Sequence, residues 1–200
     1  MTETETKDQS RTDKSRVTWN EFRKTRITAS KCKRVATMKE TTSLTSALEE
    51  ILQHRRPYLS DLIREGLEKE PEIISDYETE MHKNGHQVTV TKSGFIVSTS
   101  HCFLGASPDG FVHDPVESPT DGRIETKYVS LNSRETLRDA VLRKHICKLV
   151  EGENITINRN HQYFYQVQQQ IFCSKKFWTD FVVKGGVEIH IERVNFDEIF

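Results

Sequence analysis

The sequence predicts a single mixed α/β (α+β) domain, helical through its first eighty residues and built on a mixed β-sheet after them. Three observations carry that expectation. Apolar residues recur at helical spacing between Val17 and Tyr77. Between residues 87 and 129, short runs rich in β-branched and aromatic residues are broken by Gly, Pro and Asp turn signals. The last forty residues read as one helix followed by two strands joined at a Gly-Gly. Two hundred residues, 34% of them hydrophobic and 30% charged, suffice for one domain with its own core.

Residues 1–16 carry no apolar side chain after Met1 and are expected to be a disordered segment, which leaves 17–200 as the folded domain. A short amphipathic helix begins around Trp19 and Phe22. Thr28 and Ser30 read as N-cap residues of a second helix over about 29–38. A third, over 44–54, has Leu48, Ile51 and Leu52 on one face and Ser46-x-x-Glu49 as a capping box, and Arg55-Arg56-Pro57 ends it. Ser60 then caps a helix bearing Leu62, Ile63, Leu67, Ile73, Ile74 and Tyr77. Pro71 predicts a kink or restart inside it. Gly66, costing up to about 1 kcal/mol against alanine, predicts close approach of another backbone.

The strands follow: Gln87–Thr91, Gly94–Ser98 across Lys92-Ser93, then 109–112 and 123–129. Arg134–Leu149 reads as a helix, Asn154–Ile157 as a short strand or loop, and His161–Cys173 as a helix with Phe164, Val167 and Ile171 at helical spacing. The bland reading of Gln168–Gln170 is a polar, solvent-facing run, which is expected to describe some of those glutamines. The chain closes with strands Phe177–Val183 and Val187–Arg193 around a Gly185-Gly186 turn, expected on the sheet edge away from the 109–129 hairpin.

No run of 18 apolar residues predicts a membrane span, and an intracellular, soluble protein is expected, nucleus and cytoplasm being unresolved. The four cysteines (Cys32, Cys102, Cys147, Cys173) are scattered without a C-x-x-C, so free thiols are expected rather than disulfides or a cluster. The eight histidines are dispersed along the chain, and zinc is not expected of them. The net charge of −1 argues against bulk attraction to nucleic acid, but its distribution is uneven. Residues 11–40 hold ten Lys/Arg against three acids, while residues 61–80 hold eight acids against two bases. A phosphate-binding face beside a metal-binding face fits this polarity, and so do two oppositely charged solvated helices.

The chemistry concentrates in residues 104–129. Asp109 stands at the head of Gly110-Phe111-Val112, and Glu125 and Lys127 stand two apart on the 123–129 strand, hence on one face of it. The loop signals Asp114-Pro115 and Asp121-Gly122 let the two strands pair as a hairpin with a long loop. That pairing brings two carboxylates and an ammonium together. Such a set suits Mg²⁺ or Mn²⁺, whose bound water has a lowered pKa. Taken as bare spacing, E-x-K fits equally a surface hairpin with a solvated Glu–Lys pair.

Gly105-Ala106-Ser107-Pro108-Asp109-Gly110 followed by Glu125-Thr126-Lys127 resembles the PD-(D/E)XK nuclease core, and most of all its YqaJ-type viral recombinase, lambda exonuclease-like branch. Three further stretches resemble motifs of that branch, in order: Arg26-Ile27-Thr28-Ala29-Ser30, Gly66-x-x-x-Glu70-Pro71, and Tyr163-Phe164-Tyr165-Gln166-Val167-Gln168. The likeness runs from about Trp19 to the C-terminus, and the last forty residues look like the variety found in animal genomes. Departures are Thr126, where an aliphatic residue is commoner, and Tyr128-Val129, where Cys-Pro is.

The resemblance implies a restriction-endonuclease-like core and Mg²⁺-dependent hydrolysis of DNA, Mn²⁺ substituting, exonucleolytic on duplex ends and serving recombination or repair. Asp109 and Glu125 would hold the metal with the Thr126 carbonyl. Glu70 would support the site directly or through water. Lys127 would position or activate the attacking water, and Gln166 would contact water or phosphate. Arg23 and Ser30 would anchor a phosphate, beside Arg26, Thr28 and Lys31 at the same helix N-terminus. Relatives can form rings of three around DNA, so a homo-oligomer is a further expectation. A structure-specific endonuclease and an inactive module that grips DNA ends are the alternatives.

Overall fold

The computed structural model describes residues 13–52 and 61–200. The disorder expected of residues 1–12, the Arg55-Arg56-Pro57 stop and the Ser60 cap lie outside the described residues. At the N-terminus, α1 spans Asp13–Lys24, so residues 13–16, expected to be disordered, are helical. A two-residue strand β1, Ile27–Thr28, follows. Then come a 3-10 turn over Ala29–Lys31 and a short α2, Cys32–Ala36. The expected hydroxyl capping is absent: Thr28 occupies the cap position without a side-chain bond to the turn, and its Oγ1 pairs with Ser30 Oγ at 3.2 Å instead.

Helix α3 spans Leu44–Ile51 with Ser43 at its cap position, which puts Ser46 inside the helix and removes the predicted capping box. The long helix α4, Asp61–Lys83, runs through Pro71 with no restart. Where a side chain at Gly66 would project there is open space, so the expected backbone contact is not made.

Strand β2, Thr89–Lys92, and β3, Ile96–Val97, are not neighbours as their proximity in sequence suggested. They fall in different sheets. A three-stranded sheet orders β1, β4 (Leu104–Ala106) and β3, with β1 and β4 parallel. The main sheet orders β10 (Glu188–Asn195), β9 (Trp178–Gly185), β6 (Asp121–Tyr128), β5 (Gly110–His113) and β2. Strands β5 and β6 form the predicted antiparallel hairpin, Gly110 facing Ile124 and His113 facing Asp121. Strand β9 lies parallel to β6, with Glu125 beside Phe181 and Lys127 beside Val183. The terminal pair therefore joins the sheet on β6, the strand that carries Glu125 and Lys127, not on a remote edge. Its turn is Gly186-Val187, with Gly186 at φ 58°.

The predicted 134–149 helix is shorter. Helix α5 spans Leu137–Arg143, capped by Thr136, whose Oγ1 accepts from the Asp139 amide at 3.2 Å. His145, at φ 56°, ends the turn in the left-handed region. The chain then turns into β7, Cys147–Leu149, which pairs with β8, Ile155–Ile157. Helix α6, Gln162–Ser174, agrees with expectation and is capped by His161 Nδ1.

These elements stack as helix, sheet, helix. On one face, Ile73, Tyr77 and Met81 of α4 pack on Val112, Ile124, Trp178 and Val182. On the other, Phe164, Val167 and Ile171 of α6 and Leu137, Ala140 and Val141 of α5 cover Phe181 and Val183. All eight residues of β9 are buried, which marks the sheet centre. Two glycines let strands close up. A Cβ at Gly110 would stand 2.7 Å from Val90 Cγ1 and 2.9 Å from Ile124 Cγ2, and one at Gly122 would enter the Trp178 ring. The cysteines are free, as expected. Among the described residues no helix is long and apolar enough to cross a membrane.

Candidate active site

Alternation on β6 sends Ile124 into the α4 core and Glu125 and Lys127 to the α6 side. Asp109 joins them from the start of β5, anchored by its amide to the Ile124 carbonyl at 3.1 Å. Its Oδ2 accepts from both the Thr126 amide and the Thr126 hydroxyl, each at 2.7 Å. Thr126 thus fixes Asp109 through a hydroxyl that an aliphatic residue would lack.

Glu125 is 1% exposed, and both of its oxygens are held. Oε1 accepts from Lys127 Nζ and from Gln166 Nε2, the latter at 2.5 Å. Oε2 accepts from Gln170 Nε2, also at 2.5 Å. Burial, and then the Asp109 charge, push its carboxyl up to about 7, against the pull of Lys127 and Gln170. Glu70, on α4, is pushed up to about 7 as well, by burial and then by Asp109 and Glu125, with Lys92 and Lys127 opposing. For Lys127, burial favours the neutral amine, but Glu125, Asp109 and Tyr163 together push its pKa above the ordinary lysine value. It is an ammonium, 4.9 Å above the Tyr163 ring.

Asp109, Glu125, Lys127, Glu70 and Gln166 therefore act on one another across β5, β6, α4 and α6. Three hard carboxylates face one firmly held cation, and the carboxyls of Glu70 and Glu125 are raised first by burial and then by charge repulsion, both of which a divalent ion would offset. The donor set fits such an ion. Among the described residues, however, the group of three ligating side chains whose donor atoms lie within 4.8 Å of one another is His86, Asp114 and Glu117. That group surrounds a cation already: Arg193 contacts Asp114 at 3.1 Å and Glu117 at 2.7 Å.

The basic segment sits close by. Trp19 Nε1 donates to Ser107 Oγ at 3.3 Å, tying α1 to the loop that carries Asp109. The Arg23 guanidinium lies 3.9 Å from the Trp19 ring centroid, and burial lowers it to about 10. Arg26 is occupied within the chain, donating to the Phe22 carbonyl at 2.8 Å and the Cys102 carbonyl at 3.0 Å. Ser30 is exposed, Lys31 half-buried and Thr28 buried.

The expected solvent-facing Gln168–Gln170 run is wrong: the three are 1%, 6% and 0% exposed. Each amide finds a distant partner. Gln168 binds the Asn195 carbonyl and the Asp197 amide. Gln169 spans the Ile27 and Gly105 carbonyls, stapling β1 and β4 to α6. Gln170 reaches Glu125. Sequence reasoning missed Gln170 and Tyr163, although Tyr163, Gln166 and Gln170 stand at i, i+3 and i+7, one stripe of a helix.

The model of the YqaJ-like viral recombinase domain matches residues 18–177. The crystal structure of an alkaline exonuclease from Laribacter hongkongensis is similar at a TM-score of 0.62 and 24% identity, over 92% of this chain and 84% of that one. Its complex with dAMP gives a TM-score of 0.64 over the same shares, again at 24% identity. At that identity the likeness is one of fold. No curated protein matches the chain.

Proposed function

Because the chain belongs to the YqaJ-like viral recombinase domain family, we propose that it is a DNA exonuclease that hydrolyses phosphodiester bonds from duplex ends with Mg²⁺, Mn²⁺ substituting. The observation that carries this reading is buried Glu125, gripped by Lys127 and Gln166 beside an Asp109 that Thr126 anchors, with Glu70 within electrostatic reach. The two solved exonuclease structures support it as analogy of fold.

Asp109 and Glu125 would hold the cation with the Thr126 carbonyl, and Glu70 would complete the set directly or through water. When bound there, a divalent ion lowers the pKa of a water and offsets charge on a phosphoryl oxygen. Lys127, held as an ammonium, is a donor. It would position the attacking water and offset negative charge at the scissile phosphate. Gln166 keeps Glu125 turned inward while presenting its amide to the same space. Arg23, on Trp19 and next to the Asp109 loop, would receive a phosphate with Ser30 and Lys31. Arg26 and Thr28 serve to shape that corner, since their groups bond within the chain.

Duplex DNA labelled at either end, incubated with Mg²⁺ or with EDTA, tests the reading, alongside Lys127→Ala and Asp109→Ala. Mononucleotide release that needs Mg²⁺ and vanishes in both variants is expected. Covalently closed circular DNA should survive. Cutting of circles would favour an endonuclease, and binding without cutting in any metal would leave a DNA-end-binding module. Sedimentation with and without DNA tests the expected ring of three.

A further inference from the structure

Gln170 is fully buried, donates from Nε2 to Glu125 Oε2 at 2.5 Å, and has no hydrogen-bond partner for its Oε1 among the described residues. The amide cannot turn over to relieve this, because Oε1 would then face the Glu125 carboxylate and meet it as like meets like. A buried acceptor left without a donor is unfavourable, and native folds keep such a group where it serves something else. Its neighbours on α6 differ in this respect. Gln168 uses both ends of its amide, and Gln169 binds two carbonyls that join the small sheet to the helix. Gln170 makes one bond, to the carboxylate at the centre of the site.

From this contrast we infer that Gln170 is a positioning residue. It fixes the buried oxygen of Glu125 and thereby sets the rotamer in which Glu125 can ligate a divalent cation, at a cost to the fold. Gln166, one turn earlier, fixes the other oxygen. Between them the two amides leave the carboxylate no rotation about its own axis, and residues that orient ligands in this way commonly change metal affinity by about 10–100-fold.

The inference rests on the reading of Asp109 and Glu125 as the cation site. Its test is Mn²⁺ binding to the full chain, measured by titration calorimetry and by electron paramagnetic resonance, for wild type, Gln170→Met and Gln170→Leu, with thermal unfolding of each in EDTA. Expected is Mn²⁺ affinity at least about tenfold weaker in both variants, with the melting temperature unchanged or raised. A purely structural role predicts the opposite pairing, a lower melting temperature with Mn²⁺ affinity within twofold of wild type, and that result overturns the inference. So does failure of both variants to fold. If the wild type itself binds no Mn²⁺, the reading of the cation site has failed. If wild type and variants bind alike, that reading stands and the role of Gln170 does not.

Discussion

Two clusters of acids stand out among the described residues, each around buried carboxylates, and they are built on opposite principles. Around Arg193, Asp180 and Asp114 are buried and matched: the guanidinium meets both oxygens of Asp180 at 2.8 Å, Asp114 at 3.1 Å and Glu117 at 2.7 Å. Tyr77 adds a hydroxyl to Asp180 at 2.5 Å and His86 a ring nitrogen to Asp114 at 2.9 Å. Burial works against the Asp114 carboxylate, yet these partners hold its pKa below the ordinary value. Across the sheet, Asp109, Glu125 and Glu70 share Lys127, and the carboxyls of Glu70 and Glu125 are pushed up to about 7. The first cluster is complete as it stands. The second has more negative charge than the chain neutralises, which is how a binding site differs from a scaffold.

The sharpest way to break this contrast is to remove one charge from each side. Asp109→Asn is expected to lower DNA hydrolysis by roughly 10³-fold, the scale of losing one preorganised electrostatic group, while raising the melting temperature in EDTA because repulsion is relieved. Arg193→Met should do the reverse. It leaves two buried carboxylates without their cation and is expected to cost about 3–5 kcal/mol in urea unfolding, with the rate per folded molecule near that of wild type. Equal stability of the two variants would dissolve the distinction.

Acid sharpens it further. A carboxyl held low in the folded state contributes stability that is present above its unfolded pKa and lost as pH falls through its folded one. The Asp114 contribution should therefore persist down to the ordinary aspartate value of 3.8 and be lost below it. Stability measured against pH should show that loss in wild type and not in Asp114→Asn. Smaller again is Gly110→Ala, whose Cβ would press on Val90 and Ile124. Overpacking of that kind costs about 1–3 kcal/mol, and because it pushes β2 from β5 it should slow hydrolysis as well. Smallest is Thr126→Val, which removes one of the two donors on Asp109. A loss of roughly 1 kcal/mol, about five- to tenfold in rate, is expected, with serine at 126 restoring it.

How much of this was legible in the sequence depends on range. The β5–β6 hairpin, with Asp109, Glu125 and Lys127 on it, could be read from turn residues and period-two alternation, because those signals are local. The order of the main sheet could not. Strand β9 meets β6 in parallel after a crossover through α5, β7, β8 and α6, and nothing in Trp178–Gly185 names its partner. Strands β1 and β4, two and three residues long, carry no period at all. The 134–149 helix was overextended because Leu137, Ala140, Val141 and Ile146 suit a helix and also suit a helix that stops at His145 and turns inward. The glutamines were the deepest miss. A polar run normally means solvent, and only the carbonyls of Ile27, Gly105 and Asn195, far away in the chain, make Gln168 and Gln169 interior residues.

The register of β6 on β9 has a consequence for how the site moves. Glu125 and Lys127 stand beside Phe181 and Val183, which belong to the larger packed cluster under α5 and α6. Segments of that kind open to hydrogen exchange only when the whole domain does. The residues proposed to do chemistry are thus carried on a strand expected to be among the slowest to exchange. Any adjustment to substrate must come from the periphery, from α1 with Trp19 and Arg23 or from the loop before Asp109, while β6 keeps still.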